Sequence, residues 1–267
     1  MAIDYIIDYS CIPKDQLSTR GIVDRLKGEE RARTVIRLFR QNGDERPPSE
    51  MGFEFTRSTP DGQEETRVIV VQELLDAAAE LIPYHSHCIG CPANRTNQPF
   101  GCIGFVQYPI SSAGERWLLD RLPVPDDTLI WMLLRQGVKE FKYDGAAVRR
   151  LRQSSDVYFE DQHPASRRLG EFSIDADQVF EMIFSVGDIH PNHAAMLLMF
   201  LNAIDRRLEA DEIMKIAPPP PGVEKRHAFN IQPDPSEDSD RTIADLKDFL
   251  HALYIAWTLN VRLIMDV

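Results

Sequence analysis

The stretch MGFEFTRSTPDGQEETRVIVV, residues 51–71, decides how the first part of the chain is interpreted. Apolar and polar residues alternate on both sides of Pro60-Asp61-Gly62, which predicts two strands joined by a turn. Proline presets φ and glycine supplies a positive φ, so these residue types favour a tight turn. The segment is therefore predicted to be a β-hairpin.

Further strands and helices flank this hairpin. Before it, the β-branched and aromatic residues 3–9 predict a strand, and residues 15–40 have a helical pattern. After it, residues 72–82 predict a short helix and residues 102–110 predict another strand. The order strand, helix, strand, strand, helix, strand is that of a split βαβ, or ferredoxin-like, fold.

This fold predicts where the cysteines lie. Right-handed crossovers give the sheet order 4-1-3-2, in which the first and fourth strands are neighbours. We expect an α+β protein with a ferredoxin-like N-terminal domain over residues 1–110. The end of the first strand and the segment between the second helix and the fourth strand then meet at one corner of the sheet. That corner is predicted to hold all four cysteines of the chain, Cys11, Cys88, Cys91 and Cys102.

Three of these cysteines lie in one long loop, within HSHCIGCPANRTNQPFGCIG at residues 85–104. Long connections without secondary structure are uncommon in compact domains. The spacing of Cys88 and Cys91 allows two thiolates to bind one ion, and four thiolates complete a closed tetrahedral zinc site. Cys11, Cys88, Cys91 and Cys102 are therefore predicted to bind a structural zinc.

Three alternatives stay open at this site. An iron–sulfur cluster also accepts four thiolates, and Pro92 after Cys91 resembles the Cys-Pro pair of bacterial ferredoxins, although the overall spacing fits neither ferredoxin pattern. His85 or His87 could replace one cysteine, because three cysteines and one histidine also bind zinc. The cysteines could instead be small buried apolar residues without a metal.

The remainder of the chain, residues 111–267, is predicted to be mainly helical. Residues 191–204 are apolar nearly all round, which favours a buried helix. Residues 217–240 are rich in proline and acidic residues, which predicts an extended linker or a surface excursion. A helix with apolar residues at positions 246–257 and a strand near the C-terminal end follow.

His190 and His193 are a second candidate site, with Asp188 before them and Glu181 on the preceding helix. A metal or acid–base site is one interpretation. The favoured interpretation is a solvated turn in which Pro191 starts a helix. An enzyme whose active site lies between the two halves and uses His190, His193 or His85 is a further hypothesis, although common catalytic motifs are absent from the sequence.

Charge and hydropathy disfavour a nucleic-acid-binding, a membrane-spanning or a secreted protein. The net charge of −12 disfavours a primary role in nucleic-acid binding, and the basic residues 20–40 are typical of a solvated, salt-bridged helix. The sequence has no apolar run long enough for a membrane span and no basic secretory start, so a cytoplasmic location is expected. The expected function is metal binding in a binding or assembly component, with a protein partner or a second copy as its partner.

Overall fold

The structure, a computed structural model, describes residues 2–58, 64–206 and 227–266. It is a mixed α+β fold, so the predicted fold class is confirmed at that level. The strands are β1 Ala2–Ile7, β2 Gly52–Ser58, β3 Glu64–Val70, β4 Ile103–Gln107, β5 Ser166–Leu169, β6 Phe172–Asp175, β7 Asp188–Ile189 and β8 Leu263–Asp266. The helices are α1 Ile12–Leu17, α2 Thr19–Gln41, α3 Val71–Ala79, α4 Ser112–Asp120, α5 Thr128–Glu140, α6 Ala146–Ser154, α7 Ala176–Phe184, α8 Pro191–Phe200 and α9 Arg241–Thr258, with short 3₁₀ helices at Pro48–Glu50 and Ile82–Cys88.

The main sheet is antiparallel and has the order β4-β1-β8-β7. Its register places Tyr5 of β1 opposite Gly104 on one side and Met265 on the other. The predicted pairing of the first strand with the fourth is confirmed. The predicted order 4-1-3-2 is wrong, because the C-terminal strand β8 pairs with the edge of β1 that was assigned to the third strand.

The predicted hairpin is present, but it is a separate two-stranded sheet of β2 and β3. Its register runs from Gly52 opposite Val70 to Ser58 opposite Glu64, and the predicted turn at 60–62 lies outside the described residues. Residues 65–68 are all exposed, so β3 meets solvent on both faces there. A strand inside a main sheet needs a buried face for its apolar side chains. The ferredoxin-like topology is therefore wrong for this chain.

The chain forms two compact units. The sheet unit comprises Met1–Tyr9, Pro92–Thr96 and Gly101–Val267, and the hairpin unit comprises Ser10–Cys91 and Asn97–Phe100. This division differs from the predicted boundary at residue 110, because β1 and β4 belong to the same unit as the C-terminal helices.

The hairpin unit has a small apolar core between α2, α3 and the start of β2. Ala32, Met51 and Val71 are fully buried at its centre. Half-buried side chains that pack around them are Val35, Ile36, Phe39, Phe53, Leu74 and Leu75. These residues recur at helical spacing on α2 and α3, so one face of each helix is apolar.

The predicted helix over 15–40 is two helices, which meet at Ser18. The φ of Ser18 is +59°, a left-handed value that ends α1. The Ser18 hydroxyl then accepts a hydrogen bond from the Gly21 N–H at 3.0 Å and caps the start of α2. Several basic side chains of α2 pair with acidic ones, as in Arg40 with Glu45 at 3.0 Å. This pairing supports the interpretation of α2 as a solvated, salt-bridged helix.

The sheet unit is built around α8 and α9. The predicted burial of α8 is confirmed, since Leu197, Leu198 and Met199 are fully buried. On α9, the ring of Phe249 lies edge-on to Tyr5 of β1 at a centroid distance of 5.3 Å and contacts Phe184 of α7 at 4.9 Å. The aromatic side chains therefore join the sheet to two of its covering helices.

A buried ionic cluster joins α4, α6 and α7. Nη2 of Arg152 donates to Glu115 at 2.6 Å and to Asp177 at 2.7 Å, and all three side chains are at most 1% exposed. The guanidinium also lies over the ring of Phe159 at 3.8 Å. Burial raises the pKa of the Glu115 and Asp177 carboxyls, and hydrogen bonding to Arg152 opposes that rise.

The described part of the predicted excursion at 217–240 is packed against the sheet unit. Residues 217–226 lie outside the described residues. The Asn230 N–H donates to the Ala203 carbonyl at 2.8 Å, and Glu237 accepts a hydrogen bond from Trp117 Nε1 at 3.0 Å. Lys247 of α9 binds Asp238 at 2.6 Å. Residues 227–240 are therefore a surface segment that α4 and α9 anchor.

Candidate metal centre

Cys88 and Cys91 occupy the ends of a type II β-turn in the hairpin unit. The Cys91 N–H donates to the Cys88 carbonyl at 3.4 Å. Between them, Ile89 has φ −71° and ψ 123°, and Gly90 has a φ of +70°. These are the backbone values of a type II turn, in which the third position requires a positive φ and favours glycine. The turn brings the two cysteine Cα atoms within about 7 Å of each other.

The Cys88 sulfur accepts a hydrogen bond from the backbone of Phe100. The Phe100 N–H lies 3.2 Å from Cys88 Sγ, and both residues are buried. Phe100 has a φ of +59°, and Asn97 three residues before it has a φ of +57°. A left-handed conformation costs an aromatic residue about 1–2 kcal/mol. The backbone at Phe100 is therefore strained, and it directs an N–H group at a cysteine sulfur.

The charge state of Cys88 depends on these surroundings. Burial raises the pKa of the Cys88 thiol above its usual value, and the hydrogen bond from Phe100 lowers it. Negative charge on Cys91 and Cys11 raises it further, since like charges oppose ionisation. A bound cation would instead lower the pKa of Cys88, because metal-bound cysteine is a thiolate.

Cys11 lies beside the same group. It is the residue before α1, is half-buried and has an extended backbone with φ −159° and ψ 158°. Helix α1 packs against the 3₁₀ helix Ile82–Cys88 that ends at the turn. Within the hairpin unit, Cys11 and Cys91 therefore lie close enough to Cys88 to raise the pKa of its thiol.

Cys102 belongs to the sheet unit. It is buried, and its carbonyl accepts a hydrogen bond from the Ile7 N–H at 3.0 Å next to the paired strands β1 and β4. All four cysteines lie within the described residues, and none forms a disulfide. Among residues 2–58, 64–206 and 227–266, no group of three or more His, Cys, Asp or Glu side chains is arranged to hold a metal ion. The role of all four cysteines as metal ligands stays a prediction.

The two loop histidines contact aromatic rings. His85 lies edge-on to Phe100 at a centroid distance of 5.8 Å, and His87 lies 6.3 Å from the ring of Tyr84. In a 3₁₀ helix, residues three apart lie on the same face, so His85 shares a face with Cys88. Of the two loop histidines, His85 is therefore the one on the same helix face as Cys88.

The residues of the second candidate site, Glu181, Asp188, His190 and His193, make separate contacts. Both Glu181 oxygens accept hydrogen bonds at the start of α6, from the N–H groups of Gly145 at 2.7 Å and Ala147 at 3.4 Å. Asp188 pairs with Arg262 at 2.7 Å. Burial lowers the pKa of His193, and His190 lowers it further. The acidic residues therefore have structural partners, which supports the interpretation of this region as a helix-starting turn.

Sequence reasoning missed Phe100 as a site residue. An aromatic residue at a left-handed backbone position is not visible in a residue pattern, although Gln98-Pro99-Phe100-Gly101 has the composition of a turn. It also missed the buried cluster around Arg152, which follows the basic residues Arg149 and Arg150 in the chain.

Comparison with protein-family models found no match, and comparisons with curated proteins and with solved structures found no significant similarity. In the described part of the chain, no helix is long and apolar enough to cross a membrane.

Proposed function

We propose that the chain is a metal-binding protein in which Cys11, Cys88 and Cys91, with Cys102 as the fourth ligand, bind one structural zinc ion. One observation carries the proposal: the type II turn that bears Cys88 and Cys91 is combined with a Phe100 N–H that donates to Cys88 Sγ at 3.2 Å. Turns of this kind let two thiolates reach one ion, and backbone N–H groups stabilise metal-bound thiolates.

The backbone strain at Phe100 supports the same proposal. Left-handed backbone in a bulky residue persists only where the surroundings determine it, and it is concentrated at binding and catalytic sites. A metal that binds both ends of the turn and the residue before α1 would stabilise this part of the hairpin unit, because the free energy of binding adds to that of folding.

A zinc ion with four thiolate ligands has no open coordination position, so this site would stabilise the protein rather than catalyse a reaction. We assign the chain to the cytoplasm, where thiols stay reduced and clustered cysteines bind metals more often than they form disulfides. Its role would be that of a binding or assembly component, with another protein or a second copy of the chain as its partner.

An iron–sulfur cluster is the second candidate, and the Phe100 hydrogen bond is the observation that favours it. Hydrogen bonds to cysteine sulfur are among the features that set the reduction potential of such clusters. A cluster in the same cysteines would make the protein an electron carrier or a redox sensor.

The test is the metal and acid-labile sulfide content of anaerobically purified protein, with absorbance recorded before and after dithionite. We expect one zinc per chain, no sulfide and no visible band. A brown protein with sulfide and a band that bleaches on reduction would replace zinc by the cluster. A purified protein with neither zinc nor iron, which also binds neither after reduction and incubation with each metal, would contradict both candidates.

Substitutions test which residues are ligands. Cys91→Ser is expected to abolish zinc binding, because serine is a poor ligand for zinc at neutral pH. Cys102→Ser and His85→Ala compare the two candidates for the fourth position, and we expect only Cys102→Ser to lower the affinity. His193→Ala is the matched control and should retain one zinc per chain.

A further inference from the structure

The two ends of the type II turn differ in exposure and in contacts. Cys88 is 9% exposed, and its sulfur accepts the Phe100 N–H. Cys91 is half-buried and lies between exposed residues, and Ile89 at the tip of the turn is 82% exposed. A small oxidant in solution therefore reaches Cys91 before it reaches Cys88.

The turn also satisfies the distance requirement of a disulfide. Cysteines joined by a disulfide have Cα atoms about 4.4–6.8 Å apart. The hydrogen bond across the turn places the Cα atoms of Cys88 and Cys91 within about 7 Å. The separation of the two Cα atoms is therefore compatible with a disulfide, whether or not a metal is bound.

We propose that Cys88 and Cys91 are a redox-sensitive pair, which a hydroperoxide such as hydrogen peroxide oxidises to a disulfide with release of the bound metal. The release of metal rests on the proposed function, whereas formation of the disulfide does not. Loss of two thiolates leaves the ion at most two of its four ligands, so it dissociates.

The reaction has two steps. The Cys91 thiolate attacks one peroxide oxygen, the O–O bond breaks, and hydroxide leaves and takes up a proton to become water. This step leaves a sulfenic acid on Cys91. The Cys88 thiolate then attacks the Cys91 sulfur, the S–S bond forms, the S–O bond breaks, and a second hydroxide leaves and is protonated to water. The two thiolates lose two electrons in total, and the peroxide gains them.

The sequence makes the pair easy to isolate. Trypsin cleaves after Arg67 and Arg95, so one peptide, residues 68–95, carries Cys88 and Cys91 and no other cysteine. Cys11 and Cys102 fall in separate peptides. A disulfide within the pair lowers the mass of peptide 68–95 by two hydrogens and blocks its alkylation without linking it to another peptide.

The experiment treats the full chain, as purified with its metal, with increasing equivalents of hydrogen peroxide. Zinc release is followed with a chromogenic chelator, and the tryptic peptides are analysed after alkylation. We expect one zinc to be released for each peptide 68–95 that loses two hydrogens, and dithiothreitol plus zinc to restore the starting state. In Cys88→Ser, dimedone should trap a sulfenic acid on Cys91, and in Cys91→Ser the trapped product at Cys88 should form more slowly.

The outcomes separate this inference from the proposed function. A zinc-bearing protein whose peptide 68–95 does not lose two hydrogens, or whose disulfide includes Cys11 or Cys102, overturns the redox pair and leaves the zinc site standing. Formation of the Cys88–Cys91 disulfide in a chain that binds no metal supports the pair and contradicts the proposed function.

Discussion

The backbone N–H of Phe100 donates to the sulfur of Cys88 at 3.2 Å, and Phe100 adopts a left-handed backbone with a φ of +59°. A hydrogen bond to sulfur and a left-handed aromatic residue are each uncommon, and both occur at Phe100. The hydrogen bond stabilises negative charge on the sulfur, and the strained backbone directs the donor toward it.

The strain at Phe100 can be measured by comparing Phe100→Gly with Phe100→Ala. Both substitutions remove the buried ring and keep the N–H group, but glycine adopts a positive φ without a steric cost. We expect the glycine variant to be more stable to urea than the alanine variant by about 1 kcal/mol. Equal stabilities would show that position 100 is not strained.

The buried cluster around Arg152 predicts a large loss of stability in Arg152→Met. The substitution leaves Glu115 and Asp177 buried without their shared cation. Removing one partner of a buried ion pair typically costs about 3–5 kcal/mol. Arg150→Met is the control, because Arg150 is exposed on the same helix and surface substitutions change stability by about 0.5 kcal/mol or less. Similar urea midpoints for the two variants would contradict the role of Arg152.

Close packing between α4 and α9 predicts that Gly114→Ala is destabilising. A Cβ atom at position 114 would lie 2.4 Å from Cγ2 of Thr242 and 2.9 Å from its Cβ. Overpacking of this kind costs about 1–3 kcal/mol. Thr242→Ser removes Cγ2 and keeps the hydroxyl, which accepts the Ser111 N–H at 3.0 Å. We therefore expect Thr242→Ser to recover part of the loss in Gly114→Ala, and strictly additive melting data would argue against the contact.

Asp44 and Arg46 predict a local pH dependence. Hydrogen bonds from Arg46, including Nη2 at 2.7 Å, lower the pKa of the Asp44 carboxyl to about 2. The contribution to stability is present above the unfolded pKa of 3.8 and is lost as pH falls toward about 2. Carboxyl NMR titration should give this low pKa, and Arg46→Gln should raise it toward 3.8. An unchanged pKa in that variant would rule out Arg46 as the cause.

Local patterns predicted individual elements better than their arrangement. The β2–β3 hairpin, the buried helix α8 and the periodic helix α9 follow from residue spacing that is local in the chain. The pairing of Tyr5 with Met265 joins residues from opposite ends of the sequence, and periodicity carries no information about that partner. For this reason the predicted main sheet contained β2 and β3 and lacked β8.

For individual residues, too, local sequence predicted nearby features but not contacts with residues distant in the chain. The spacing of Cys88 and Cys91 suggested that two thiolates could bind one ion, and the structure places both cysteines in one turn. Arg152 lies in the sequence RRLRQ, residues 149–153, which resembles an exposed basic face. Its burial depends on Glu115 and Asp177, which are distant in the chain, so local composition gave no sign of it.

The central claim is that the cysteines bind one zinc ion, and X-ray absorption at the zinc edge of the purified protein tests it most directly. Four thiolate ligands predict a single shell of four sulfur atoms at about 2.3 Å. A shell made mainly of nitrogen or oxygen at about 2.0–2.1 Å, or a protein that does not retain zinc, would contradict the assignment of Cys11, Cys88, Cys91 and Cys102.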